Sequence, residues 1–182
     1  MKNFIFQNPT KLVFGKGQIS KLNELIPADV NLMITYGGGS VTRNGVYEQV
    51  KAALKGRKFI EFWGIEPNPQ VETLRRAIEL GKSENINFLL SVGGGSVLDG
   101  TKLIAAGILS DDDAWDIVLK GNAEKQIPFA SVMTVPATGS EMNSGAVITR
   151  AETNEKFSFG GTYPQFSILD PEVTYTLSEH QI

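Results

Sequence analysis

Leu89-Leu90-Ser91-Val92-Gly93-Gly94-Gly95-Ser96-Val97-Leu98-Asp99-Gly100-Thr101-Lys102 joins an apolar run, three glycines and an amphipathic continuation without a spare residue. That order predicts a buried strand, a sharp turn and a helix opening at Ser96. Glycine lets the backbone turn tightly and come close to a ligand, and a helix starting there points unpaired N–H groups at the same spot. Ser96 and Asp99 also have the spacing of a capping box, which sets where the helix begins. A single run of this kind reads equally well as a turn with a capping acid and nothing more. A second copy, Leu32-Met33-Ile34-Thr35-Tyr36-Gly37-Gly38-Gly39-Ser40-Val41, tips the reading toward binding. Two anion-binding turns in one sheet predict a ligand with two separated phosphate groups.

Neither copy is a P-loop, because Gly100 is followed by Thr101-Lys102, the reverse of the Gly-Lys-Ser/Thr order that wraps a nucleoside triphosphate. Neither is the G-x-G-x-x-G fingerprint, since Leu98 stands where its third glycine belongs. The site is therefore a dinucleotide site of another design, or not one at all.

Outward from the glycine turns, helix and strand periods alternate. Phe4-Ile5-Phe6 and Lys11-Leu12-Val13-Phe14, separated by Asn8-Pro9, predict an edge hairpin or arm. Ile19, Leu22, Leu25 and Ile26 fall at helical spacing before Pro27, and Val46, Val50 and Leu54 mark another helix after the first glycine turn. A strand over 58–62 leads to the loop Glu66-Pro67-Asn68-Pro69, then a helix carrying Val71, Leu74 and Ile78 that Gly81 is expected to stop. After the central motif, Ser110-Asp111-Asp112-Asp113 reads as a solvated helix start before Trp115 rather than as a cation site.

From Phe129 the pattern changes. A strand over 130–135 runs into Pro136-Ala137-Thr138-Gly139-Ser140-Glu141-Met142-Asn143-Ser144-Gly145, a loop dense in hydroxyls and amides. Thr138 and Glu141 have capping-box spacing; alternatively the loop closes over a ligand at the carboxyl end of its strand, as open α/β sheets commonly arrange. Residues 146–149 and 156–159 predict a hairpin, 166–169 a last strand, and 176–179 the start of a helix.

Composition bounds the rest. The 182 residues suit one domain, with 41% hydrophobic and 20% charged residues and a net charge of −3. That balance, without a basic cluster, argues against nucleic acid as the main partner. No run approaches the roughly 18 apolar residues of a membrane span, and cysteine is absent, so no membrane partner and a cytoplasmic location are expected.

With Phe14-Gly15-Lys16-Gly17, both glycine motifs, Gly64-Ile65-Glu66-Pro67-Asn68-Pro69, Pro136-Ala137-Thr138-Gly139-Ser140-Glu141 and Leu169-Asp170-Pro171 in order, the sequence resembles the iron-dependent alcohol dehydrogenase family. Within it, the NADPH-dependent aldehyde reductase and butanol dehydrogenase branch is nearest in pattern. The resemblance implies a dehydroquinate synthase-like fold: an α/β nucleotide domain, which residues 1–182 would form, followed by an all-helical metal domain. It implies hydride transfer between NADP(H) and an alcohol or aldehyde, with iron or zinc on one aspartate and three histidines of the helical domain. No metal ligand is assigned here; His180, the only histidine, matches none of them.

Residue by residue, the resemblance puts Gly93, Gly94, Gly95, Ser96 and Asp99 at the pyrophosphate and neighbouring ribose. Gly37, Gly38, Gly39 and Ser40 would face the adenosine end with Asn68 beside them. Thr138, Ser140 and Ser144 would lie along the diphosphate and nicotinamide ribose, and Lys156 would approach the nicotinamide and the substrate oxygen. Without the resemblance, Lys156 is an exposed hairpin lysine. Trp63 and Trp115 read as core or interface aromatics. Arg43, placed near the third position of the helix opened by Ser40, is expected beside a bound anion, and Gly39 leaves no carboxylate to repel a 2′-phosphate, so NADP(H) is expected over NAD(H). The family also implies a homodimer. A stand-alone nucleotide-binding module and a polyol dehydrogenase of the same superfamily are the competing functions.

Overall fold

The computed structural model describes residues 3–5 and 7–176. Six strands form one sheet in the order β1-β8-β5-β4-β2-β3, every neighbouring pair parallel. They are β1 (Lys11–Phe14), β2 (Leu32–Tyr36), β3 (Phe59–Phe62), β4 (Phe88–Gly94), β5 (Phe129–Val135) and β8 (Phe166–Leu169). An antiparallel hairpin of β6 (Ala146–Arg150) and β7 (Glu155–Phe159) stands apart from it.

A parallel sheet needs cover on both faces, and its central strands accordingly read as nearly continuous apolar runs; all five residues of β2 are buried. Period-two alternation sends Met33, Leu89 and Phe129 to one face, where α4 (Val71–Ser83), α5 (Gly95–Leu109) and α6 (Ala114–Leu119) pack. Ile34, Leu90 and Ala130 go to the other, beneath α1 (Leu22–Leu25), α2 (Ser40–Arg43) and α3 (Val46–Ala53). On the α5 face, Thr35, Ser91, Ser131 and Ser167 are register partners across four adjacent strands, all fully buried. Thr35 shares a 2.6 Å hydrogen bond with Thr101 of α5, and Ser131 Oγ donates to Ser167 Oγ at 2.8 Å.

Four expectations need correction. Lys11–Phe14 makes no hairpin: β1 pairs in parallel with β8, Lys11 opposite Phe166, and residues 3–5 form no strand. A parallel partner brought in from the far end of the chain wins over a local turn. Gly81 does not stop α4, which runs on to Ser83; a Cβ there would lie 2.5 Å from Ile108 Cδ1, so this glycine lets α4 and α5 approach. Ser96 and Asp99 form no capping box, since α5 opens one residue earlier, at Gly95, and no side chain caps it. Thr138 and Glu141 form none either, because a short 3-10 turn over Ser140–Met142 opens from Gly139 in the left-handed region (φ 72°). The acidic run does start a helix: Asp113 accepts from the Trp115 amide at 2.9 Å and binds Arg75 through both oxygens at 2.8 Å. The helix expected from 176–179, and His180, lie outside the described residues.

Candidate active site

Strand order reverses between β2 and β4: the chain leaves β2 for the β3 edge, then returns through α4 to β4 and continues toward β5. The carboxyl ends of two such neighbouring strands leave a crevice where open α/β sheets bind ligands. Tyr36 pairs with Val92, so both glycine turns leave the sheet side by side at that crevice.

The two turns are unequal. The turn after β4 opens α5, a 15-residue helix whose first N–H groups face the crevice, whereas the turn after β2 opens only the four residues of α2. The glycines differ as well. A Cβ on Gly93 would stand 2.6 Å from Val97 Cγ2, one on Gly37 3.2 Å from the same atom, and one on Gly95 2.8 Å from Thr138 Oγ1. These three make room for the protein's own side chains. Among the described residues, Gly38 and Gly39 have nothing within 4 Å of a Cβ, and Gly94 has Val135 at 3.8 Å, so the open part of the cradle is formed by these three. Gly39 also adopts φ +95°, which a side chain would strain. Arg43 is the last residue of the single turn of α2, where the macrodipole favours a cation, so its charge needs no bound anion to explain it.

Ser96 reaches the loop after β3, its hydroxyl accepting from the Asn68 amide at 3.4 Å. Asn68 sits in the left-handed region at φ 57° and accepts from Lys156 Nζ at 2.8 Å through its side chain. Loop and hairpin are thus joined over the amino end of α5. Asp99 points the other way: its two oxygens accept from Ser140 Oγ at 2.6 Å and from the Val147 amide at 2.9 Å. Burial raises its carboxyl above the ordinary range, opposed by the Ser140 hydrogen bond, the Val147 amide and the charges of Lys102 and Lys156. A cavity of about 400 Å³ lies between these groups, lined by Asp99, Thr138, Ser140, Asn143, Val147 and Ser158 among others. Ser144 is half-buried on the same loop.

Lys102, which in the sequence argues only against a P-loop, is fully buried. Its three N–H donors are shared among five oxygens within reach: Ser140 O and Oγ at 2.9 Å, Asn143 O at 3.0 Å and Oδ1 at 3.2 Å, and Gly145 O at 2.6 Å. Burial lowers its pKa to about 8 while Asp99 and Glu141 pull it back up; the five acceptors favour the charged form further. The signal was available: a lysine three residues after Asp99 in an otherwise apolar helix has to find oxygen partners. Trp115 is a core residue, whereas Trp63 stays partly exposed beside the first glycine turn, stacked on buried Tyr36 at 4.1 Å.

This crevice, with an open glycine cradle, helix N–H donors and hydroxyl-accepting groups, fits a dinucleotide. A metal does not fit the described residues, among which no three His, Cys, Asp or Glu side chains gather. No described helix is long and apolar enough to cross a membrane.

The family profile of the iron-containing alcohol dehydrogenases matches residues 9–171, and the chain belongs to that family. It is 53% identical to the probable NADH-dependent butanol dehydrogenase 2 of Bacillus subtilis, covering 100% of this chain and 48% of that protein. It is 50% identical to the NADPH-dependent aldehyde reductase YqhD of Escherichia coli, covering 100% and 49%. The crystal structure of NADH-dependent butanol dehydrogenase A of Thermotoga maritima matches with a TM-score of 0.94 at 45% identity, over 100% of this chain and 47% of that one. The chain thus spans about half the length of these relatives.

Proposed function

We propose that residues 1–182 form the nicotinamide-dinucleotide unit of an NADP(H)-dependent alcohol dehydrogenase or aldehyde reductase. The observation that carries this reading is the meeting of the open Gly38-Gly39 and Gly94 cradle with the amino end of α5 at the β2–β4 switch point.

The N–H groups at the start of α5 bind diphosphate oxygens, and the Asp99 carboxylate, repelled by phosphate, accepts from a ribose hydroxyl instead. Lys156 and Asn68 orient the group that lies over the hairpin. The bound dinucleotide supplies or accepts the hydride exchanged with an alcohol or aldehyde carbon. Lys156, exposed and donating to the neutral Asn68 Oδ1, offers its remaining N–H donors to negative charge developing on the substrate oxygen.

The preference for NADP(H) rests on Gly39 alone, since Arg43 no longer supports it. The relatives' names divide between NADH and NADPH. Calorimetric titration of the 182-residue polypeptide with NADPH and NADH decides both points. Tighter NADPH binding is expected, narrowed or inverted by Gly39→Asp; equal or tighter NADH binding overturns the preference, and binding of neither overturns the dinucleotide reading. The same polypeptide is expected to hold no stoichiometric metal and to oxidise no NADPH with an aldehyde, as elemental analysis and an absorbance assay would show. A homodimer is part of this reading and is checked by sedimentation.

A further inference from the structure

We infer that Lys102 is the positioning residue of this site: it fixes the polar loop after β5 and thereby sets Asp99 as a hydrogen-bond acceptor. The inference rests on reading the crevice as a dinucleotide site only for its functional consequence.

The direction of the hydrogen bonds carries it. An ammonium has three N–H donors and no lone pair, so Ser140 Oγ, 2.9 Å from Lys102 Nζ, faces it as an acceptor and cannot donate to it. Its own proton then has one destination, Asp99 Oδ1 at 2.6 Å. Asp99 is held as an acceptor by two donors, Ser140 Oγ and the Val147 amide. Its remaining lone pairs can take a ligand hydroxyl but not an acceptor such as a phosphate oxygen. The same ammonium gathers the carbonyls of Ser140, Asn143 and Gly145, which would otherwise be left without this donor inside the fold. Asn143 completes the turn, its Oδ1 accepting from the Gly145 amide at 2.9 Å and its Nδ2 donating to Gly139 O at 2.9 Å. One consequence is that the Ser140 hydroxyl is committed internally, so Ser140 shapes the site through Asp99 rather than by giving its proton to a ligand.

The test compares Lys102→Met, close in size and without charge, with Ser140→Ala, which keeps the three carbonyl contacts. Amide hydrogen exchange is followed by NMR at Gly145 and Val147 in the ligand-free 182-residue polypeptide, and NADPH affinity by calorimetry. Lys102→Met should speed exchange at both amides about tenfold or more while amides of β4 and β5 keep their protection. Ser140→Ala should leave the Gly145 amide protected yet raise the Asp99 carboxyl titration, read from its side-chain carbon shift, and weaken NADPH binding about tenfold. If Lys102→Met does not fold, the Ser140→Ala titration decides alone. Unchanged loop exchange in a folded Lys102→Met chain, or an unmoved Asp99 titration in Ser140→Ala, overturns the inference. Failure of the unmodified chain to bind NADPH overturns the cofactor reading instead, and the exchange and titration results stand independently of it.

Discussion

Gly93 and Val97 are packed so closely that a methyl group on the glycine would stand 2.6 Å from Val97 Cγ2. Val97 is also 3.2 Å from where a Cβ on Gly37 would be, so one side chain sits between the two glycine turns. The repeated triple glycine therefore contains positions of two kinds, those that accommodate the protein and those left open. Gly93→Ala should lower stability by about 1–3 kcal/mol through overpacking. Gly38→Ala, with open space around it, should leave the melting temperature unchanged and weaken NADPH binding. Thermal unfolding and calorimetry on both variants check the division, and equal effects on stability would remove it.

Lys102 gives the fold a pH signature. Its pKa falls from 10.5 to about 8, so between those values the unfolded chain keeps a proton that the folded chain has released. Stability at this site then rises with pH across that window. Asp99 acts at the acid end: its raised carboxyl keeps its proton in the fold after the unfolded chain has lost it, so its contribution declines as pH climbs through the folded value. Urea unfolding of the unmodified chain and Lys102→Met at roughly pH 7.5 and 9.5 isolates the lysine. The stability gap should widen at the higher pH; an unchanged gap would mean that the surrounding oxygens hold the ammonium against burial.

Lys156 and Asn68 are both exposed, so their 2.8 Å hydrogen bond contributes little to folding. Lys156→Ala should shift stability by less than about 0.5 kcal/mol. In an active dehydrogenase carrying this sequence, it should lower kcat about tenfold or more with a smaller change in cofactor affinity. Unchanged aldehyde reduction in steady-state kinetics would remove the lysine from the chemistry.

Within the buried hydroxyl row, Ser91 Oγ has no hydrogen-bond partner among the described residues, whereas Ser167 accepts from Ser131 and donates to the Glu141 carbonyl at 2.8 Å. Ser91→Ala should be neutral or stabilising, because it removes an unsatisfied group. Ser167→Ala should cost about 1–3 kcal/mol by leaving both of its partners unpaired. Denaturant midpoints measure the two, and a larger loss at Ser91 would show that its hydroxyl has a partner, such as a buried water.

The sequence showed the helices and strands of the central region because strand and helix periods alternate there with glycine between them. It also indicated the hairpin, while the place of Asn68 and Lys156 near the glycine turns was implied by the family resemblance alone. It did not show which strand lies beside which. Local signals paired Lys11–Phe14 with the residues before it, while the actual partner is 155 positions away at Phe166. Capping boxes failed where tertiary partners were stronger: Ser96 turned to Asn68, and Asp99 to Ser140 and Val147. Lys102 was missed for the same reason, since its oxygen partners are mostly main-chain carbonyls of a loop some 40 residues away, and carbonyls leave no mark in a sequence.

The pairing of β1 with β8 also bears on how the chain assembles. β1 precedes β2 to β5 in the chain, but among the described residues its one neighbour in the sheet is the strand at 166–169. Strands β2 to β5 can zip together as they emerge, through crossovers of moderate length, while β1 waits with its ladder donors in water and the β5 edge stands open. Closing that edge requires the longest sequence separation among the described strand pairs and is expected late. Until then the nascent protein presents an unpaired strand on each side of the gap, the geometry most prone to pairing with another copy.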